Sequence, residues 1–221
     1  MAEDQINIHP EVCPRGLKLG EVVPDFEAVT TLGPLKLYNL RDNWVIIFSY
    51  LADFTPVAAT EFIRLAEVYG EFESRSCRLI ALSTDSLSSH IAWVRDVEAI
   101  SKTHVPFSVI ADSDLSIARE WGMVHPASRG EVSAVNSTWF IDPQAILRAV
   151  MYYPPSVGRS IPEILRVLEA LQTADVDSVD TPADWLPGEK TLVMTPRTQE
   201  SAERRLEEDY DCASWYLCRP K

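Results

Sequence analysis

Residues 44–60 read WVIIFSYLADFTPVAAT, and they combine the pattern of a buried strand with that of a helix start. Trp44 to Tyr50 is a nearly continuous run of apolar, β-branched and aromatic residues, typical of a strand covered on both faces. Thr55-Pro56 then supplies a favoured N-cap and the residue preferred at the first helical position. Apolar residues at helical spacing from Phe62 to Phe72 extend the helix to about residue 74.

The same alternation of strand and helix continues on both sides of this stretch. Upstream, residues 26–40 alternate around Gly33-Pro34 and predict a short β-hairpin. Downstream, the patterns predict strands at 78–84, 107–111, 138–141 and 146–153, helices at 87–101 and 114–122, and an amphipathic helix from 161 to 171. Strands that alternate with helices predict an α/β fold with a central sheet.

The composition changes after about residue 173, where acidic residues and prolines cluster and the periodicity is lost. We therefore predict a core over residues 1–172 and a C-terminal extended arm over 173–221. The arm ends in an aromatic segment containing Trp215 and Tyr216, and it has too few apolar residues for a core of its own. We expect it to lie on the core or on a partner subunit, in a homodimer or larger homo-oligomer.

The charge and the hydropathy of the chain argue against nucleic acid and membranes as partners. The chain has 20 basic and 33 acidic residues, a net charge of −13, which disfavours binding to nucleic acid or to anionic membranes. No apolar run approaches the ~18 residues needed to span a bilayer. The first residues, MAED, lack the basic and apolar regions of a secretory signal, so we expect a cytoplasmic location.

The four cysteines do not form a metal-binding or short redox motif. Cys212 and Cys218 are too far apart for a CxxC site, and Cys13 and Cys77 stand alone. In a reducing cytosol all four are expected to be free thiols or redox-active groups. No histidine has metal-ligand spacing to a cysteine, and no nucleotide, flavin or nicotinamide motif is present. We therefore predict neither a metal nor a cofactor.

Several segments resemble the peroxiredoxin family, most closely the one-cysteine type with a long C-terminal arm. The segments are 19–26, 48–61, 82–93, 106–112, 152–165 and 182–185. The resemblance implies a thioredoxin-like fold of the peroxiredoxin type with an N-terminal β-hairpin and a C-terminal arm. It also implies assembly into dimers, and in some members rings. Cys212 and Cys218 are similar to a cysteine pair in the arms of some archaeal members.

The chain departs from the family at the reacting positions. The family motif is Pro-x-x-x-Thr-x-x-Cys, whose cysteine attacks peroxide as a thiolate. Here Thr55 is kept, Leu51 replaces the proline and Ala58 replaces the cysteine. Alanine cannot form a sulfenic acid, so peroxide chemistry at position 58 is excluded.

Two further positions differ and one is kept. Asn136 stands where the resemblance places an arginine that polarises peroxide, and Tyr50 stands where a histidine is frequent. Arg159, a later family arginine, is retained. A single change at Ala58 would also fit a protein altered to trap a ligand. The coordinated changes favour a natural paralogue.

The retained geometry predicts an anion or oxyanion pocket without a nucleophile. In it Arg159 supplies a cation, Thr55 a hydroxyl, Tyr50 a phenol for acid–base help and Asn136 an amide. Each residue also has an ordinary structural role: Thr55 as a helix cap, Tyr50 as a core aromatic, Asn136 as a partner of a loop backbone, and Arg159 in an ion pair. His125 could reach the pocket, although a surface position is the more common one.

The sequence is compatible with three functions. The first is a cofactor-independent, non-peroxidase enzyme, such as one of a biosynthetic route, that carries out proton transfer, cyclisation, addition or elimination on a small organic molecule. The second is a thiol-dependent peroxidase that uses Cys212 or Cys218, and the third is a non-catalytic binding or chaperone-like oligomer. Fold alone does not decide among them.

Overall fold

The computed structural model describes residues 16–124 and 134–221. The chain divides into two compact units, Met1–Arg159 and Ser160–Lys221. Along the chain, strands alternate with helices in the first unit, and shorter elements follow in the second. This order confirms the predicted α/β class.

The first unit is built on a seven-stranded sheet with the order β2-β1-β5-β4-β3-β6-β7. Its strands are β1 (Glu27–Thr30), β2 (Gly33–Lys36), β3 (Trp44–Ser49), β4 (Cys77–Ser83), β5 (Ser108–Ala111), β6 (Asn136–Ile141) and β7 (Leu147–Tyr153). β3 pairs parallel with β4 and antiparallel with β6. All six residues of β3 are buried, as the apolar run predicts for a strand covered on both faces.

Four α-helices lie between these strands along the chain: α1 (Pro56–Glu67), α2 (Tyr69–Glu73), α3 (Leu87–Ser101) and α4 (Ser116–Trp121). The single helix predicted for 56–74 is wrong in one respect, because it breaks at Val68. At this point the N–H of Glu71 donates to Val68 O, which is the i to i+3 bond of a tighter turn than an α-helix has. Gly70, a poor helix former, follows within the same turn.

The N-terminal hairpin is confirmed, but its turn lies two residues earlier than predicted. Thr30 pairs with Gly33, so residues 31–32 form the loop and Gly33-Pro34 belongs to β2. The Thr30 hydroxyl donates to Gly33 O at 2.7 Å. Gly33 has φ +107°, a conformation that a side chain would strain, which explains the glycine at this position.

The second unit contains more regular structure than its sequence pattern predicts. It comprises α5 (Ile161–Asp177), β8 (Val179–Asp180), β9 (Leu192–Val193), α6 (Gln199–Arg205), β10 (Tyr210–Ser214) and β11 (Leu217–Pro220). α5 continues across position 173, where the arm is predicted to begin. β8 pairs with β9, and β10 pairs with β11. Short hairpins with two to five residues per strand leave little periodicity to detect.

Cys212 and Cys218 face each other across β10 and β11 and form a disulfide. This corrects the part of the prediction that treated them as free thiols, because the hairpin register brings the two side chains together. Cys77 is free and buried, and Cys13 lies outside the described residues.

No helix in the described ranges is long and apolar enough to cross a membrane.

Candidate functional site

The loop between β3 and α1 creates a cavity beside the first turn of α1. Phe54 adopts a left-handed conformation with φ +56°, and Thr55 is extended, so the chain turns sharply before it enters the helix. The cavity has a volume of about 310 Å³. The residues that line it all belong to the first unit: Leu51, Thr55, Pro56, Val57, Ala58, Asn136, Pro155 and Ser156.

Thr55 stands at the N-cap position of α1, but its side chain does not cap the helix. Its hydroxyl instead donates to Ala52 O at 2.8 Å, which stabilises the preceding turn. Pro56 has no N–H, and the N–H of Ala59 bonds Thr55 O. The N–H groups of Val57 and Ala58 therefore keep the unpaired state usual in the first turn of a helix, without a partner among the described residues.

Ala58 lies in this first turn with 4% of its surface exposed, and it lines the cavity. The position at which the resemblance implies a thiolate thus presents a methyl group beside free helical N–H groups. Partial positive charge at the helix start remains available to an oxygen atom of a ligand.

Asn136 reaches the same cavity from the start of β6, and it is also 4% exposed. Its Oδ1 accepts from the N–H of Leu51 at 3.1 Å, so part of its role is the ordinary one of satisfying a loop backbone group. Its Nδ2 has no partner within the described part of the chain. The structure therefore brings Thr55, Ala58 and Asn136 together at one cavity.

Arg159 does not line the cavity, which corrects its predicted role as the ligand's cation. Its Nε donates to Glu61 Oε1 at 2.9 Å, and its Nη2 donates to the other oxygen of the same carboxylate. Its Nη1 donates to the carbonyl oxygens of Ser49 and Ser137 at 3.0 and 2.9 Å. The side chains of Arg159 and Glu61 are both buried. The carboxylate therefore neutralises the guanidinium, whose N–H groups already have hydrogen-bond partners.

Tyr50 also points away from the cavity, and its predicted acid–base role is not supported by this placement. Its side chain is fully buried, and its hydroxyl donates to Asp53 Oδ1 at 2.8 Å. Burial and the neighbouring charge of Asp53 hold the pKa of the phenol well above its usual value. Tyr50 is a core aromatic that packs edge-on against Phe62.

A buried polar cluster around Asp53, in the loop between β3 and α1, was not predicted from the sequence. His90 Nδ1 lies 2.9 Å from both oxygens of Asp53, and His90 Nε2 lies 3.1 Å from Ile110 O. The N–H of Asp53 donates to Asp85 at 2.8 Å. The available signal was that His90 falls on the same face of α3 as Trp93 and Val97, which are buried.

None of the remaining described candidates is among the residues that line the cavity. Burial raises the pKa of the Cys77 thiol, which keeps it protonated and unreactive. Cys212 and Cys218 belong to the second unit. His125 lies outside the described residues. Within those residues no group of three or more His, Cys, Asp or Glu side chains is placed to hold a metal ion.

Comparison with protein families gives two matches along the chain. Residues 19–150 match the AhpC/TSA family, and residues 170–209 match the C-terminal domain of 1-Cys peroxiredoxin. Among similar proteins, a peroxiredoxin of Aquifex aeolicus is 45% identical, with 92% of this chain and 96% of that protein covered. Peroxiredoxin 2 of Caldanaerobacter subterraneus is 43% identical over the full length of both chains.

Solved structures show the same likeness. A yeast mitochondrial 1-Cys peroxiredoxin superposes with a TM-score of 0.84 at 33% identity and covers 93% of this chain and 99% of its own. A cysteine-to-serine variant of peroxiredoxin 6 from Arenicola marina superposes with a TM-score of 0.82 at 37% identity, with 93% and 98% covered. These superpositions confirm the predicted thioredoxin-like fold.

Proposed function

The chain belongs to the AhpC/TSA family of peroxiredoxins. We propose that it is a member that has lost thiol-based peroxide reduction in the family pocket. One observation carries the proposal: among the described residues, those lining the cavity at α1 include neither a thiol nor any other titratable side chain. Ala58 cannot be oxidised, and Asn136 cannot supply a full positive charge to a peroxide. The one free thiol described, Cys77, is enclosed in the core.

We propose that this pocket instead serves a cofactor-independent enzyme that acts on a small organic molecule. Free N–H groups at the start of α1 can stabilise negative charge that develops on a bound oxygen atom. The apolar side chains of Leu51 and Val57 keep water away and strengthen those hydrogen bonds. Since Tyr50 is engaged with Asp53, this pocket favours cyclisation, addition or elimination over proton transfer by a side chain.

Peroxide consumption tests the loss of family activity directly. The protein is incubated with hydrogen peroxide and dithiothreitol, and peroxide loss is compared with that in dithiothreitol alone. We expect no difference between the two. Peroxide loss above this background in a variant carrying Cys212→Ser and Cys218→Ser would contradict the proposal, because the arm cysteines could not then account for it.

The disulfide gives a second candidate function, a peroxidase that uses the arm cysteines. Reduced Cys212 as a thiolate would attack the O–O bond, release water or an alcohol and become a sulfenic acid. Cys218 would then displace water from that sulfur and close the disulfide seen here, which a dithiol reductant would reopen. Peroxide loss that Cys212→Ser abolishes would favour this candidate over the first.

We also propose that the protein forms a homo-oligomer and works in the cytoplasm. Support for the assembly comes from Trp215 and Tyr216, which are 44% and 55% exposed on the second unit. Exposed aromatic surface of this kind is typical of an interface. Cell fractionation tests the location.

A further inference from the structure

The cavity at α1 contains hydrogen-bond donors but no full charge. Arg159, expected to supply a cation, is committed to the buried carboxylate of Glu61. No side chain lining the cavity is charged. The electrostatic character of the pocket therefore comes from the partial charges of N–H groups and hydroxyls and not from a full charge.

A second, independent donor joins the helical N–H groups. The Asn136 side chain is more than nine-tenths buried, and the bond from the N–H of Leu51 to its Oδ1 fixes the orientation of the amide. Its Nδ2 is consequently on the opposite side, without a partner among the described residues, at a position that lines the cavity. Among the described side chains only Trp121 Nε1 is buried without a partner, so Asn136 Nδ2 reaches open space at the cavity, where a ligand or water can accept from it.

The rest of the lining is apolar except for the hydroxyl groups of Thr55 and Ser156. The Thr55 hydroxyl donates its hydrogen bond to Ala52 O, so a ligand in the cavity could use this oxygen only as an acceptor. Leu51, Val57 and Pro155 add apolar wall. The cavity is thus shaped for an apolar body with one oxygen that accepts from Asn136 and from the start of α1.

The lack of charge decides between an anionic and a neutral ligand. Moving a carboxylate from water into a partly apolar site costs several kcal/mol unless a cation compensates for it. A neutral carbonyl accepts the same hydrogen bonds with a much smaller loss of hydration. The net charge of −13 on the whole chain further disfavours an anion.

We propose that the ligand of this pocket is a neutral organic molecule that places a carbonyl oxygen between Asn136 Nδ2 and the N–H groups of Val57 and Ala58. This inference rests on the proposed function and narrows it, and it replaces the anionic or oxyanion-bearing small-molecule ligand expected from the sequence. The carbonyl would be polarised towards negative charge on its oxygen, which is the form of activation that addition or cyclisation requires.

Three probes of nearly the same shape test the inference on the full chain. Acetophenone has a neutral carbonyl, benzoate has a carboxylate, and α-methylstyrene replaces the carbonyl oxygen with a CH2 group. Dissociation constants are measured by two-dimensional NMR titration, with the amide resonances of Val57 and Ala58 as reporters. We expect acetophenone to bind about ten-fold tighter than either other probe and to shift both amide protons downfield.

Asn136→Asp provides the matched variant. An aspartate keeps the acceptor for the N–H of Leu51, but it removes the Nδ2 donor and presents an oxygen that repels a carbonyl. We expect it to weaken acetophenone binding at least ten-fold while α-methylstyrene binding changes less than two-fold. Asn39→Asp, on an exposed residue, is the control and should change neither.

The outcomes separate this inference from the proposed function. Tighter binding of benzoate than of acetophenone would overturn the inference that the ligand is a neutral carbonyl compound. It would leave the non-peroxidase proposal intact. Equal binding of acetophenone and α-methylstyrene, or no binding by any probe, would overturn the carbonyl site altogether. The peroxide assay is read separately, so peroxide loss that persists in the Cys212→Ser/Cys218→Ser variant would contradict the proposed function whatever the probes do.

Discussion

Arg159→Met should destabilise the protein strongly, because Arg159 acts as a structural ion-pair partner rather than as a ligand-binding cation. The substitution leaves the carboxylate of Glu61, whose side chain is 3% exposed, without its counter-charge. Only the backbone N–H of residue 159, which donates to Glu61 Oε1 at 2.7 Å, would still satisfy it. Breaking a buried pair by removal of one partner typically costs 3–5 kcal/mol, about 10²–10³-fold or more in the unfolding equilibrium.

A double-mutant cycle isolates the ion pair from the packing of the side chains. In Glu61→Gln/Arg159→Met the glutamine oxygen can still accept from the N–H of residue 159, and no unpaired charge is buried. We expect the double variant to be more stable than Arg159→Met alone, by roughly 2 kcal/mol. Arg64→Met is the control, since the exposed Arg64–Glu67 pair should contribute less than about 1 kcal/mol.

Urea denaturation gives the required free energies of unfolding. The transition is followed by far-UV circular dichroism and by tryptophan fluorescence, and their coincidence establishes that a single two-state transition is measured. A loss below about 1 kcal/mol for Arg159→Met, or additive effects in the cycle, would refute the reasoning from burial. Weaker ligand binding without destabilisation would return Arg159 to the role of a ligand-binding cation.

Other perturbations have equally definite outcomes. Ala58→Cys should give a poor peroxidase and Ala58→Cys/Asn136→Arg a markedly better one in a peroxide-consumption assay, because a nearby guanidinium lowers the thiol pKa; equal rates would show that position 136 is not limiting. Tyr50→Phe should lower stability by about 1–3 kcal/mol in urea denaturation, because Asp53 loses a buried hydrogen bond, yet leave acetophenone affinity within two-fold; a large loss of affinity would place the phenol in the site. Cys77 should resist a disulfide reagent such as Ellman's at pH 8 until the protein unfolds, since burial raises its pKa; rapid labelling of Cys77 in the native protein, located by mass spectrometry, would contradict its burial. Light scattering should give at least twice the monomer mass, and a monomer mass would exclude the proposed assembly.

Local sequence patterns were sufficient to predict the elements that position the pocket. The buried strand at 44–49 and the helix starting at Pro56 depend on neighbouring residues, whose spacing is visible in the sequence. The hairpin and the two strands around Asp142-Pro143 were predicted for the same reason. Family resemblance added the positions of Ala58 and Asn136, and both line the cavity.

The partners of individual side chains could not be predicted in this way. Arg159 finds Glu61 across 98 positions of sequence, and no local pattern distinguishes an occupied guanidinium from a free one. The Thr55 hydroxyl turns to Ala52 because of the left-handed conformation of Phe54, which no turn residue signals. Tyr50 turns inward because Asp53 and His90, from separate elements, offer it hydrogen-bond partners.

The methyl group of Ala58 gives the pocket a chemical durability that a thiol there would not have. A peroxide-reactive cysteine is exposed to overoxidation, since excess oxidant carries the sulfenic acid on to sulfinic and sulfonic acids that do not return unaided. An alanine has no such end point, and Cys77, with none of its surface exposed, is shielded from oxidants and alkylating agents. The shape and hydrogen-bond pattern around Ala58 therefore stay the same in reducing and in strongly oxidising conditions, so occupancy of the pocket depends on ligand concentration and not on the redox history of the cell.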